Sequence, residues 1–330
     1  MTPVSETAAP AGRVSVDALD EHRRNLTGFC YRMLGSPFEA EDAVQETMLR
    51  AWRALGGFDG RSSLSTWLHR IATNVCVDML KGRRRRATPM DLGPAQEPVV
   101  ANLHTRAEAT WIEPIPGTML DGETDPADVA VSNETVKLAL IAALQRLPAR
   151  QRAVLILCEV LRWQATEVAV LLDTSVASVN SALQRARATL AASGVSTGSA
   201  QLPLDAAQQQ LLQRYVDAFQ RYNLDALTSC IRSDAMMSMP PYDLWLDGRD
   251  SVLRFFYGPG IGCEGSVLVP TSPANGTVAF GQYKPSAGGS GYEPWALQVV
   301  EIGDGGVAEL TFFLDTARLF PLFDLPPHAG

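Results

Sequence analysis

No stretch of the 330 residues comes near the roughly 18 uninterrupted apolar residues of a membrane span. The first residues also lack the charged-then-apolar order of a secretory signal, so a cytoplasmic protein with no membrane partner is expected. Cysteine is scarce: Cys30, Cys76, Cys158, Cys230 and Cys263 form an odd, scattered set without a CxxC pair. That pattern argues against a disulfide framework or a zinc ribbon, and buried free thiols are the expectation. Four scattered histidines leave little for a metal centre, so neither metal nor cofactor is expected. Positive charge is in short supply too, with 28 Lys and Arg against 36 Asp and Glu, a net −8. Apolar material is ample at 46%, and the length suggests two or three domains.

The whole-chain charge by itself argues against nucleic acid, but a sum hides the distribution. Residues 15–87 carry +3, 88–131 carry −7, 132–192 carry +3 and 193–330 carry −7. Two mildly basic blocks are separated by an acidic connector and followed by an acidic domain. Composition and periodicity divide the chain at the same places. Residues 1–14 read as a disordered tail, 15–87 as helical, 88–131 as a Pro-rich acidic linker, 132–192 as helical, 193–204 as a flexible tether, and 205–330 as a third domain. Within 15–87, Ala40, Ala43, Val44, Thr47, Met48, Ala51, Trp52 and Leu55 recur at helical steps across 39–55. Ser65 can cap a following helix over about 66–84.

Residues 148–192 hold the most informative pattern. A helix over about 149–161 is followed by a short one starting near Gln164, a tight turn at Asp173-Thr174-Ser175, and a third helix over 176–190. Val179 and Leu183 face inward on that third helix, whereas Ser178, Asn180, Ser181, Gln184, Arg185 and Arg187 face outward. This is helix-turn-helix spacing, in which the last helix enters the major groove. Arg and Gln can read base edges there, and Ser and Asn can contact phosphates.

LPARQRAVLILCEVL and ATEVAVLLDTSVASVNSALQRAR resemble the −35-binding domain of extracytoplasmic-function sigma factors. EAEDAVQETMLRAWRALGGFDGRSSLSTWLHRIATNVCVDMLKGRRRR, residues 39–86, resembles the −10-binding domain of the same family. The resemblance implies two all-α domains, the second with a helix-turn-helix, and partners in RNA polymerase core and promoter DNA. It implies that Asp42, Gln45, Glu46 and Arg50, which share one helix face, dock on the polymerase. For the melted −10 strand it implies Phe58, Arg61, Ser62 and Ser63 on the loop, then Trp67, Arg70, Asn74, Lys81, Arg83 and Arg84. Basic grooves, aromatic platforms and a pocket for an extruded base suit single-stranded DNA. A tryptophan on an amphipathic helix also suits a core, so Trp67 stays open between the two. The chain departs from the family where it has Asn180, Ala182 and Gln184 in place of basic residues, which predicts weaker intrinsic −35 binding. By resemblance, the acidic linker threads into channels of the polymerase; its apolar island at 111–116 reads as an anchor or a random patch.

Two helices, about 206–222 and 225–231, open the third domain, followed by strand-like runs at 235–239, 266–269, 278–283, 295–302 and 307–314. Without βαβ alternation this indicates α+β with an antiparallel sheet. Residues 211–258 resemble the opening of SnoaL-like, NTF2-like domains, a cone of curved sheet wrapped by helices. Ketosteroid isomerases share that fold. Tyr215 matches their oxyanion donor, but Met239 before Pro240 stands where their general base would be, so no catalytic residue is expected. A cone lined by Tyr215, Phe219, Met239, Trp245, Phe256 and Trp295 can hold a small apolar ligand or simply fill a core. The stretch 311–326, aromatic and punctuated by proline, can fold back on another domain. The expected function is that of a sigma factor directing polymerase to promoters, with the third domain modulating it. A helix-turn-helix regulator with a ligand-sensing domain is the alternative, and a SnoaL-type enzyme with a DNA-binding appendage a more distant one. The promoter, the signal and any anti-sigma protein are not legible.

Overall fold

The structure is a computed structural model that describes residues 16–105, 111–120, 136–192, 203–289 and 291–329. The expected tail (1–14) and most of the tether (193–202) lie outside the described residues. Four helices form the first block: α1 (Val16–Asp20), α2 (Arg23–Leu34), α3 (Pro37–Ala54) and α4 (Leu64–Leu80). Gly35 ends α2 in the left-handed region at φ 73°, and Ser36 caps α3 by accepting from the Glu39 N–H at 3.3 Å. Two consecutive residues thus reverse the chain, which brings α3 back against α2. The cap of α4 is Ser63, not Ser65: its Oγ accepts from the Thr66 N–H at 3.1 Å, and the helix stops at Leu80. Trp52, placed by periodicity in the inward row of α3, is 59% exposed beside Leu49 at 41%.

The second block comprises α5 (Leu138–Gln145), α6 (Ala149–Leu155), α7 (Ala165–Leu171) and α8 (Val176–Ala192). Helix α6 runs on into a π turn over Ile156–Val160. Reciprocal capping by Gln164 and Glu167 starts α7, and Asp173 turns the chain at φ 50°. Val179 is buried on α8 as its spacing requires.

These two blocks do not form separate cores. One apolar cluster runs from Leu19 through Phe29, Leu68, Ile115, Leu144 and Leu157 to Ala186. Helix α2 packs on α5 and α6, and α4 on α6 and α7. The His69 ring lies between Phe29 at 5.3 Å and Trp163 at 5.1 Å. Arg152 of α6, 4% exposed, donates to the Met33 carbonyl at the end of α2, and to the Gln145 and Leu147 carbonyls at 3.1 Å. A cation there also meets the negative end of the α2 dipole.

The third domain starts with α9 (Ala206–Gln220) and α10 (Leu224–Cys230). A six-stranded sheet follows, made of β1 (Ile231–Ser238), β2 (Trp245–Asp247), β3 (Val267–Pro270), β4 (Val278–Pro285), β5 (Tyr292–Gly303) and β6 (Gly306–Phe313), with α11 (Arg249–Tyr257) after β2 and α12 (Thr316–Leu322) at the end. The order is β2-β1-β6-β5-β4-β3. Pairing is antiparallel as expected, save that β1 and β6 run parallel. A parallel pair needs a long crossover, and here the rest of the domain provides it. Register shifts in three ladders curl the sheet. Its concave side closes over Tyr215, Phe219, Phe255 and Phe256 from α9 and α11. Part of the convex side is covered by α12 and the tail, through Phe320, Phe323 and Leu325.

Candidate nucleic-acid and polymerase interface

Asp42 and Gln45 are exposed on α3, Glu46 is half-buried, and Arg50 holds Glu46 at 2.6 Å. With Leu49 and Trp52 they make one acidic and apolar surface. The pattern i, i+3, i+4, i+7 was available for Leu49, but its apolar character assigned it to neither face.

The Phe58 and Trp67 rings lie against each other at 5.1 Å, both half-buried beside the loop. Arg61 pairs with Asp59, whose carboxyl it holds below the usual range by hydrogen bonding. Ser62 is half-buried, and Ser63 is engaged as the cap of α4. Arg70 and Asn74 are exposed on one face of α4, and Lys81 pairs with Asp78 at 2.7 Å. Three members of the four-arginine run form ion pairs within the chain, although only Arg86 is buried. Arg83 pairs with Glu39, Arg85 with Asp91 at 3.7 Å, and Arg86 is buried between Glu39 at 3.3 Å and Glu113 at 3.4 Å. Arg84 is exposed.

On α8, Ser178, Asn180, Ser181, Gln184, Arg185 and Arg187 are all exposed. Ser175 caps the helix and its hydroxyl meets that of Ser178 at 2.9 Å. Arg185 donates to Ser181 at 2.6 Å, whereas Arg187 is tied to Glu159 at 3.1 Å.

The aromatic residues of the third domain divide. Tyr215 and Phe219 are fully buried, and the Tyr215 phenol, pushed well up by burial, has no hydrogen-bond partner among the described residues. Met239, Phe256 and Trp295 line a concave pocket of about 120 Å³, with Met237, Phe255 and Lys284. The Lys284 ammonium sits 3.1 Å from the centre of the Trp295 ring. Trp245 is not in this group. Its indole N–H donates to the Gly93 carbonyl at 2.9 Å, because β2 is an edge strand turned toward the connector.

The connector is not a free strand. The Gln96 N–H donates to the Trp245 carbonyl at 3.0 Å, Arg254 pairs with Glu97 at 2.9 Å, and Thr105 bridges to Tyr242. The apolar island is an anchor: Trp111, Ile112 and Ile115 are at most 3% exposed. Glu113, 9% exposed, joins Arg86 of the first block to Arg318 of α12 at 2.8 Å. The guanidinium of Arg318 also covers the Phe38 ring at 3.9 Å, so the last helix does reach the first block. The hairpin tip Asn275-Gly276 between β3 and β4 reaches farther still. Asn275 is 1% exposed; its Oδ1 accepts from the Ile115 N–H at 3.0 Å, and its Nδ2 donates to the Tyr31 hydroxyl at 2.7 Å and to the Val136 carbonyl. The Tyr31 hydroxyl donates in turn to the Glu113 carbonyl at 2.9 Å. One side chain therefore joins the first block, the connector and the start of the second block to the sheet.

The family model for sigma-70 region 2 matches residues 18–86, and that for sigma-70 region 4 matches 137–190. The chain is 42% identical over 314 residues to the ECF RNA polymerase sigma factor SigG of Mycobacterium tuberculosis, covering 93% of this chain and 82% of the relative. It is 28% identical over 178 residues to SigW of Bacillus subtilis, across 53% of this chain and 85% of that one. In overall fold it is similar to the crystal structure of the M. tuberculosis extracytoplasmic function sigma factor SigJ, with TM-score 0.59 at 23% identity, over 94% of this chain and all of that one. With both sigma-70 regions in place and a 42% identical relative matched over 93% of this chain, the chain belongs to the extracytoplasmic-function RNA polymerase sigma factors, proteins of transcription initiation.

Proposed function

We propose that this sigma factor is held in a closed arrangement by its own sheet domain, and that promoter recognition requires the two helical blocks to part. The observation that carries this is the shared core. The −10 and −35 elements lie about 25 base pairs apart, or about 85 Å along B-DNA. Helices α4 and α8, each of 17 residues, are only about 25 Å long, and both belong to one apolar cluster. Packed so closely, Asn74 and Arg185 cannot occupy both elements together. In this reading the face of Asp42, Gln45, Glu46, Arg50, Leu49 and Trp52 docks on polymerase while the protein is still closed, since it is already exposed. The 58–63 loop, Trp67, Arg70 and Asn74 then take the melted strand, and the outward residues of α8 take the −35 duplex. Once freed, the acidic connector can enter a basic channel of the polymerase in the cytoplasm.

Removal of residues 205–330 tests the modulating role. The truncated protein should retain core-polymerase binding and raise promoter-specific transcription several-fold in a reconstituted system. Unchanged or reduced transcription with core binding intact refutes the closed-state reading.

A further inference from the structure

Opposite the concave pocket of the sheet domain, a cleft of about 450 Å³ lies on the convex side, within the range of small-molecule sites. Its floor is the sheet: Met236 and Ser238 of β1, Glu301 of β5, and Glu309, Thr311 and Phe313 of β6. Its roof comes from outside that domain. Ala87 flanks it from the end of the first block, Met90 and Ile112 from the connector, and Leu138, Ala139 and Ala142 from α5. All three parts of the chain therefore contribute walls.

The charges in this cleft do not balance locally. Arg146 is bound to Asp91 at 2.6 Å and Arg232 to Asp234 at 2.6 Å. Glu301 and Glu309 are direct cross-strand partners in the β5–β6 ladder, both are half-buried, and neither forms an ion pair among the described residues. The Thr311 hydroxyl donates to Glu309 at 3.3 Å. Like charges placed opposite each other on one sheet face repel, and withdrawal from water aggravates the repulsion. Burial and the neighbouring Glu301 push the Glu309 carboxyl up to about 7. A carboxylate pair facing a roomy cleft, beneath an apolar roof, is matched by a ligand with one cationic head and an apolar body.

We propose that the cleft between the convex sheet face and α5 is a binding site for a small organic cation, a primary amine with an apolar body, its ammonium held by Glu301 and Glu309 and its body by Met90, Ile112 and Leu138. A ligand so placed touches the connector, the second helical block and the sheet at once. Its occupancy stabilises whichever arrangement keeps these walls together. That regulatory consequence rests on the closed-state reading above; the site itself does not.

Calorimetric titration of the full chain with butylamine and 2-phenylethylamine, each against the corresponding alcohol, tests the site. Amines should bind with dissociation constants below about 10 mM, the alcohols at least tenfold more weakly. Binding should strengthen as pH rises from 6 to 8, as Glu309 ionises through about 7. Glu309→Gln should abolish the preference for amine over alcohol while keeping the fold, checked by circular dichroism. Ala142→Leu, which fills the roof without touching the carboxylates, should weaken 2-phenylethylamine more than butylamine. Equal binding of amine and alcohol, an unchanged preference in Glu309→Gln, or no amine binding at 10 mM overturns the proposal. Transcription by the full chain with and without the bound amine reads the regulatory consequence separately. An amine that binds but leaves transcription unchanged overturns only that consequence.

Discussion

Replacing Asn275 by glycine removes a side chain that hydrogen-bonds the sheet domain to both helical blocks, and it does so without straining the backbone. Asn275 lies at φ 53°, a region that glycine enters freely and alanine does not. The substitution orphans the buried Ile115 N–H, which costs about 1–3 kcal/mol, and removes the bonds to the Val136 carbonyl and the Tyr31 hydroxyl, at about 1 kcal/mol each. Together these weaken docking by roughly 3–5 kcal/mol, or about two to three and a half decades in the docking equilibrium. The loss should fall on docking rather than on the sheet, because the Ala274–Thr277 hairpin keeps both of its backbone bonds at 2.9 Å. Amide hydrogen exchange separates the two. Protection at Ile115 should fall at least about a hundredfold, while Val299, held in the middle of β5 between β4 and β6, should be unchanged. If Ile115 stays protected, the Asn275 contacts do not hold the domains together. If Val299 loses protection equally, Asn275 stabilises the sheet itself and the docking argument fails.

Two further outcomes are expected. Burial holds the His69 imidazole down to about 4, against 6.5 when free, so separated or unfolded chains take up a proton that the docked state refuses. The stabilisation is full above pH 6.5 and is lost as pH falls through 4, up to about 3 kcal/mol; His69→Phe should flatten denaturant-derived stability over that window, and a retained slope would assign it elsewhere. Arg185→Ala should weaken −35 duplex binding by about 1–3 kcal/mol with relaxed preference at one base pair, leaving strand capture by Asn74 intact. A uniform loss across duplex sequences in a binding titration would make Arg185 a phosphate contact.

Local features were legible in the sequence because they are local. The inward Val179 follows from helical period and the turn around Asp173 from the break in that period, whereas Asn74 is singled out only by the family resemblance. The choice between Ser63 and Ser65 as cap was not decidable by residue type, since both are serines; it is fixed by where the chain leaves the 58–62 loop. Trp52 misled because an exposed apolar residue beside a polar helix face is indistinguishable, by period, from the margin of a core stripe. Trp245 was misassigned because β2 is too short to show alternation. The contacts between domains left no periodic trace. Tyr31 and Asn275 are 244 residues apart in sequence, and many of the partners across these interfaces are backbone carbonyls, which every residue has. An Asn-Gly dipeptide favours a tight hairpin turn, but nothing in Asn275-Gly276 announces that its side chain also reaches into the helical blocks.

The connector along β2 has one more consequence. β2 is the end strand of the sheet, and an end strand with free amides and carbonyls is a template for another chain to add to. With the connector docked, the Gln96 N–H covers the Trp245 carbonyl of that strand, and the Thr105–Tyr242 bridge lies just before it. If promoter recognition draws the connector away, as proposed above, it also uncovers this seam. On that proposal the open protein is the form prone to self-association, safest when bound to polymerase. Activity and solubility are set against each other by the same ten or so residues of chain.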